Sequence, residues 1–296
     1  MRVTNNMLIS NMMRNLNSSL KRMQRVHNQM SSGKRFSMPS EDPVGVARSL
    51  KLRADINENR QFKKNAEDAL SWLETTETAL MQIKEVLQRA RELAVQGANG
   101  VLSPEDCQKI AEEVVQLRDQ LVSLGNSTYA GKHIFAGYKT NQAPVGLNPD
   151  GSLNYAGDLG QIMYQVGVSD ILQGNMTARE IFEPGGKDLF ADMQDFIDAL
   201  NIGDSGTVGG IIGDIDVHME NILAKVAETG AKVNRMKLVV NRLEDDYLNF
   251  NKLLSQNEDA DMAEVITRLK SEENVYMAAL AGGARIIQPT LVDFLR

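Results

Sequence analysis

Covalent or metal chemistry would need histidine, cysteine or paired carboxylates at close spacing, and the chain carries three His and one Cys. His27, His133 and His218 stand on different segments, none with a second His, Cys or carboxylate at metal-ligand spacing. The triplet His218-Met-Glu220 has one half of a zinc deaminase signature and lacks the PCxxC half. Cys107 falls in the first turn of an expected helix, where a thiol can be activated, but no convergent His accompanies it. A single cysteine also excludes an internal disulfide and any CxxC site. Glycine pairs at 185–186, 209–210 and 282–283 match neither GxGxxG nor a P-loop. They read as turns, and Gly282-Gly283 as a close-packing notch in a helix. The acidic cluster Glu258–Glu264 lacks the order of a calcium loop and reads as a solvated face. The expectation is therefore no catalytic, cofactor-binding or metal residue and no cofactor, in a protein that is not an enzyme.

What remains is non-covalent chemistry, carried by apolar stripes and charge. Hydrophobic residues make up 42% of the 296 residues, aromatics only 5%, and there are fifteen Met. That balance suits long helical packing, where Leu, Ile, Val, Met and Ala fill the seams. The net charge of −7 argues against a nucleic-acid partner. The charge is unevenly placed. Residues 1–40 hold Arg2, Arg14, Lys21, Arg22, Arg25, Lys34 and Arg35 with no acidic side chain. From Gln256 to Glu273, Glu258, Asp259, Asp261, Glu264, Glu272 and Glu273 face only Arg268 and Lys270. Opposite signs at the two ends suggest mutual docking. No apolar run resembles a secretory leader or a membrane span, so no membrane insertion is expected.

These side chains must be positioned by helices. Ile215, Met219, Ile222, Val226, Thr229, Val233, Met236, Val240, Leu243, Tyr247, Phe250 and Leu254 follow at alternating steps of 4 and 3, a single seam along about 60 Å of helix. A second series runs Ala66, Ala69, Leu73, Thr76, Leu80, Ile83, Leu87, Ala90, Ala94 and stops at Gly97–Gly100. A third opens at Ser103-Pro104-Glu105-Asp106 and continues through Ile110, Val114, Leu117, Leu121 and Leu124. Weaker seams mark the ends: Ile9, Met13, Leu16, Leu20, Met23, His27, Met30, and Met262, Ile266, Leu269, Tyr276, Leu280, Ile287. The C-terminal seam is displaced by one residue, with a joint at Asn257–Asp261. Pro39 and Pro43 break the N-terminal helix.

Between Ile134 and Asp204 the period changes. Asn148–Gly151 is a turn, Ile162–Val168 alternates as a strand, one helix covers Lys187–Leu200, and Gly203–Gly213 reads as a glycine-rich connector. The fold expected is mainly α: a long antiparallel helical bundle or rod formed by the N- and C-terminal regions, with a small inserted mixed β domain. Its parts would be 1–43 with 262–296 for assembly, 44–137 with 205–261 for the rod, and 138–204 for the insert.

Three motifs carry a family resemblance. Ser-Ser-Gly-Lys-Arg-Phe-Ser-Met-Pro-Ser-Glu-Asp-Pro at 31–43 resembles an N-terminal segment of the flagellin superfamily, and the run Tyr276–Leu295 is similar to its C-terminal segment. Ile-Phe-Ala-Gly-Tyr-Lys-Thr at 134–140, with Gly131-Lys132 before it, is similar to a signature of the hook-associated members. The resemblance implies a structural subunit at the hook–filament junction of the bacterial flagellum, outside the cell, exported unfolded with no cleaved signal. It implies as partners further copies of the chain in a helical ring, the hook-associated protein FlgK, flagellin, and a cytoplasmic export chaperone. Leu16, Leu20, Met23, Tyr276, Leu280, Ile287, Leu291 and Phe294 are the expected buried tube contacts, and Arg22, Arg25, Glu272 and Glu273 the polar pairs that set register. The end helices, lacking anything local to bury against, are expected to order on assembly. The C-terminal run is as flagellin-like as it is hook-associated, which leaves a short filament subunit as the alternative; a non-flagellar secreted coiled-coil protein is a further one.

Overall fold

The computed structural model describes residues 5–100, 102–147 and 153–287. The chain divides into two compact units, residues 1–58 with 246–296 and residues 59–245. The two longest helices among the described residues are α2 (Pro43–Ala98) and α6 (Ser205–Glu258).

The unit of residues 59–245 is built on those helices. Every position of the 66–94 series is buried, including Thr76. The opposing α6 series is buried or half-buried throughout. Helix α3 (Pro104–Gly125) begins as its residues demand: the Ser103 hydroxyl accepts from the Asp106 amide at 3.2 Å, Pro104 spends no needed donor, and Glu105 and Asp106 face the positive helix end.

The insert contains three separate antiparallel hairpins: β1 (Thr128–Tyr129) with β2 (Lys132–His133), β3 (Val145–Leu147) with β4 (Leu153–Tyr155), and β5 (Met163–Gln165) with β6 (Ile171–Gln173). The turn expected at 148–151 lies outside the described residues; Leu147 pairs with Leu153 across it. Short helix α4 (Ala178–Phe182) and helix α5 (Leu189–Ile202) complete it. Phe135, Phe182, Phe190 and Phe196 are fully buried in the same apolar cluster as Leu80 and Leu87 of α2 and Ile215 of α6. The insert thus shares the helices' core.

The connector expected at Gly203–Gly213 is a correction. Only Gly203 and Asp204 are non-helical: Gly203 caps α5 in the left-handed region at φ 79°, and α6 begins at Ser205. The Asp204 carboxylate accepts from the Gly206 and Thr207 amides at 3.0 and 3.3 Å. Four glycines then lie in the first turns of a helix, at roughly 1 kcal/mol each. Burial of Val208, Ile211 and Ile215 on the same face offsets that cost.

The Ile134–Thr140 motif is a folding lock. Ile134, Phe135 and Ala136 are buried, and the Phe135 carbonyl accepts from the Ala178 amide at 2.9 Å. Gly137 sits at φ +66°, where an added Cβ would lie 2.4 Å from the Asp158 carbonyl oxygen. The Tyr138 amide donates to the Asp158 carboxylate at 2.6 Å, and its ring lies over Gly160.

Candidate assembly interface

The other unit consists of α1 (Asn5–Ser32), α7 (Met262–Ile287), and the adjoining ends of α2 and α6. Helices α1 and α7 pair antiparallel: Met12 lies against Gly283, Ser19 opposite Glu272, and Val26 with Val265 and Leu269. The contact stripe on α1 is Ile9, Met12, Leu16, Ser19, Met23, Val26 and Met30, at alternating steps of 3 and 4. Gly283 is the notch expected of the Gly282-Gly283 pair, since a Cβ there would overlap the Met12 side chain.

The expected seams are partly out of phase with this stripe. Leu16, Met23, Leu269 and Tyr276 belong to it, but Met13, Leu20 and His27 on α1 and Met262, Ile266 and Leu280 on α7 are exposed. Each helix carries two apolar stripes, about 100° apart, and one partner covers only one of them. The second remains open: Met13 is 51% exposed, Leu20 39%, Ile266 48%, Met277 67% and Leu280 41%. Ile287 ends α7, and Leu291 and Phe294 lie outside the described residues.

Of the four polar candidates, Arg22 and Glu272 meet at 3.0 Å across the helix pair. Arg25 instead approaches Glu41 at 3.7 Å, and Glu273 accepts from Lys270 on its own helix at 2.8 Å. Adjacent residues of a helix point about 100° apart, so only one of Glu272 and Glu273 can face α1.

A second construction joins the helix ends, and sequence reasoning missed its central residue. Glu258, the last residue of α6, is nearly buried and takes Lys34 at 2.9 Å and Arg53 at 2.8 and 3.0 Å. Burial pushes its carboxyl up, but the hydrogen bonds from Lys34 and Arg53 outweigh burial and hold it below the ordinary glutamate range. Backbone bonds reinforce the clamp: Arg35 N–H to the Glu258 carbonyl at 2.7 Å, and Ala260 N–H to that of Gly33 at 2.9 Å. Gly33 adopts φ +68° to present it. Asp42 caps α2 through the Gly45 amide at 2.8 Å, Pro43 takes the first helical position, and Phe36 is buried against Gly45. The Ser31–Pro43 motif is therefore an elbow between α1 and α2, pinned to the α6–α7 joint.

Among the described residues no group of His, Cys, Asp and Glu could hold a metal, and no helix is long and apolar enough to cross a membrane. Cys107 is free and buried, and His133 bonds the Asn126 carbonyl at 2.8 Å. His218, also buried, bonds Asp192 at 2.7 Å.

The bacterial flagellin N-terminal helical region matches residues 3–140. Flagellar hook-associated protein 3 of Escherichia coli K12 is 28% identical over 94% of this chain and 95% of its own length. The chain is thus similar to flagellar hook-associated protein 3 along nearly its whole length, and to the flagellin N-terminal region over residues 3–140. Flagellin of Bacillus subtilis is 27% identical over 95% of this chain and 94% of its own. Among solved structures, one described as a flagellar hook-associated protein of Vibrio parahaemolyticus matches with TM-score 0.69 at 25% identity, over 74% of this chain and all of that one. The flagellar junction protein FlgL of Legionella pneumophila matches with TM-score 0.61 at 20% identity, over 72% and 100%, a likeness of fold. The likeness accords with a mainly α fold and with helices paired from the two ends of the chain.

Proposed function

We propose that this chain is a structural subunit of the bacterial flagellum, a counterpart of FlgL that forms the hook–filament junction on which flagellin polymerises. The observation that carries the reading is the α1–α7 pair, which buries one apolar stripe and leaves a second on each helix facing water. An exposed stripe on paired helices is costly in an isolated molecule and useful in a polymer, where identical neighbours cover it in a heterologous, repeating contact. Likeness to hook-associated protein 3 along nearly the whole chain supports placing that polymer at the junction.

In this reading residues 1–43 with 262–296 serve as the assembly part, the helices of 44–137 and 205–261 as a rod, and 138–204 as an outward insert. Leu16, Leu20, Met23, Tyr276, Leu280, Ile287, Leu291 and Phe294 make the tube contacts, with Leu20 and Leu280 meeting neighbouring subunits. The partners are further copies in a ring, FlgK on the hook side, flagellin on the filament side, and an export chaperone before secretion without a cleaved signal. The role is structural, with no catalysis. The flagellin of Bacillus subtilis is nearly as similar, which keeps a short filament subunit as the second reading.

A strain lacking the gene decides between them. The junction role predicts hooks that shed flagellin into the medium and grow no filaments, restored by about one helical turn of subunits per flagellum. Filaments of normal length in the deletion strain would reject it; thousands of copies along each filament would favour the second reading.

A further inference from the structure

The two longest seams carry one polar residue each at the same level. Thr76 of α2 and Thr229 of α6 are fully buried in otherwise apolar series. Glu77 lies against Gly230, and Glu74 pairs with Lys237 at 3.0 Å, which sets the antiparallel helices with the two threonines in one layer.

Two apolar clusters meet near this layer, and Trp72, one turn before Thr76, belongs to the first of them. On one side Leu80, Ile83 and Leu87 pack with Ile215 and Ile222, together with α3 and most of the insert. On the other, Ala69 and Leu73 pack with Val233 and Met236 and with Val166 and Leu172 of the β5–β6 hairpin. Between them the threonine hydroxyls turn back on their own helices, that of Thr229 lying also 3.6 Å from the Met176 sulfur. Thr76 donates to the Trp72 carbonyl at 2.9 Å, and Thr229 to the Lys225 carbonyl at 2.8 Å. Ser71, Thr75 and Thr78 of α2 do the same to Glu67, Ser71 and Glu74 at 3.1, 2.8 and 2.9 Å. Each such bond competes with the helical amide for one carbonyl, which loosens the helix and favours bending. On α6, Gly230 follows Thr229 directly and lowers the local helix propensity further.

We propose that the Thr76–Thr229 layer is a flexing point built into the α2–α6 pair, where both helices open and bend while the cores on either side stay packed. Back-bonded hydroxyls stand at this level on both helices, with a glycine beside them on α6, and a carbonyl shared with a hydroxyl holds its helical amide less firmly. In an assembly of identical copies, which is the function proposed above, such a joint lets each copy adjust its curvature without giving up contacts.

Native-state hydrogen exchange on the full free chain tests this, and its outcome does not depend on the assembly reading. Amides at 72–80 and 226–234 should exchange about tenfold or more faster than those at 83–94 and 211–222, through local opening. In the double variant Thr76→Val and Thr229→Val, which removes both hydroxyls at nearly constant shape, that difference should close. Uniform protection along α2 and α6 of the wild-type chain would overturn the proposal. So would a minimum that persists unchanged in the double variant, since the threonines would not then be its cause. Should that variant not fold, the single Thr229→Val chain carries the same comparison for α6.

Discussion

Glycine and carboxylate positions carry the sharpest consequences at the scale of single residues. Gly45 is packed so closely that an added Cβ would lie 2.6 Å from the Phe36 ring and 2.4 Å from the Asp42 carboxylate that caps α2. Alanine normally gains about 1 kcal/mol over glycine inside a helix. Here Gly45→Ala should instead cost about 1–3 kcal/mol by overpacking, read as a lower urea midpoint. Glu258 gives a pH-dependent case. Its folded carboxyl titrates below its unfolded one, so the unfolded chain takes up the proton first as pH falls. The clamp's contribution is therefore complete above the ordinary glutamate range of the unfolded chain and is lost as pH drops through the lower folded value. Glu258→Gln should destabilise at pH 7 by about 1–3 kcal/mol, and the gap to wild type should shrink under acid. A gap that stays constant down to pH 3 would exclude the clamp. Neither residue was legible beforehand: Glu258 sits in an acidic cluster that reads as solvated, and only the fold brings Lys34 and Arg53 to it.

At the scale of elements, long periodic runs were readable and short or doubly apolar ones were not. Twelve alternating positions in α6 and nine in α2 leave a single phase that can be buried, and the structure buries it. Helices α1 and α7 offer two phases each. Periodicity alone could not choose, so Ser19, Val26 and Val265 were missed in favour of Leu20, His27 and Ile266. Small residues at the close approach, Ser19 and Gly283, were the available signal. The Asp204 cap was likewise visible before a glycine run that looked like a linker. The Ile134–Thr140 segment is legible as a motif, but its work in docking the insert depends on Asp158 and Ala178, which lie far along the chain. Gly137→Ala combines a left-handed φ with an overlap on the Asp158 backbone. It should cost about 2–4 kcal/mol, with melting of the unit of residues 59–245 as the readout.

In the molecule as a whole, folding and the proposed assembly rest on different residues. The unit of residues 59–245 contains two apolar clusters, and α1 and α7 contribute to neither. Removing residues 1–40 and 262–296 together should leave a chain that keeps a cooperative thermal transition and high helicity by circular dichroism, yet cannot join a flagellum. Loss of the transition would mean that the end helices are part of the fold and not an addition to it. The expectation that the end helices gain order only on assembly is narrowed by the structure: they pair with each other, and what is left unsatisfied is their outer stripes.

The most direct test of that claim puts charge on the open stripes without touching the buried one. The variant Leu20→Glu with Leu280→Glu changes two exposed side chains, so its melting should stay within about 1 kcal/mol of wild type. Introduced into a strain lacking the gene, it should appear in the culture medium as a folded chain, with hooks that carry no filaments and with flagellin shed beside it. Filaments of normal number and length from that same variant would show that the open stripes are not the assembly surface.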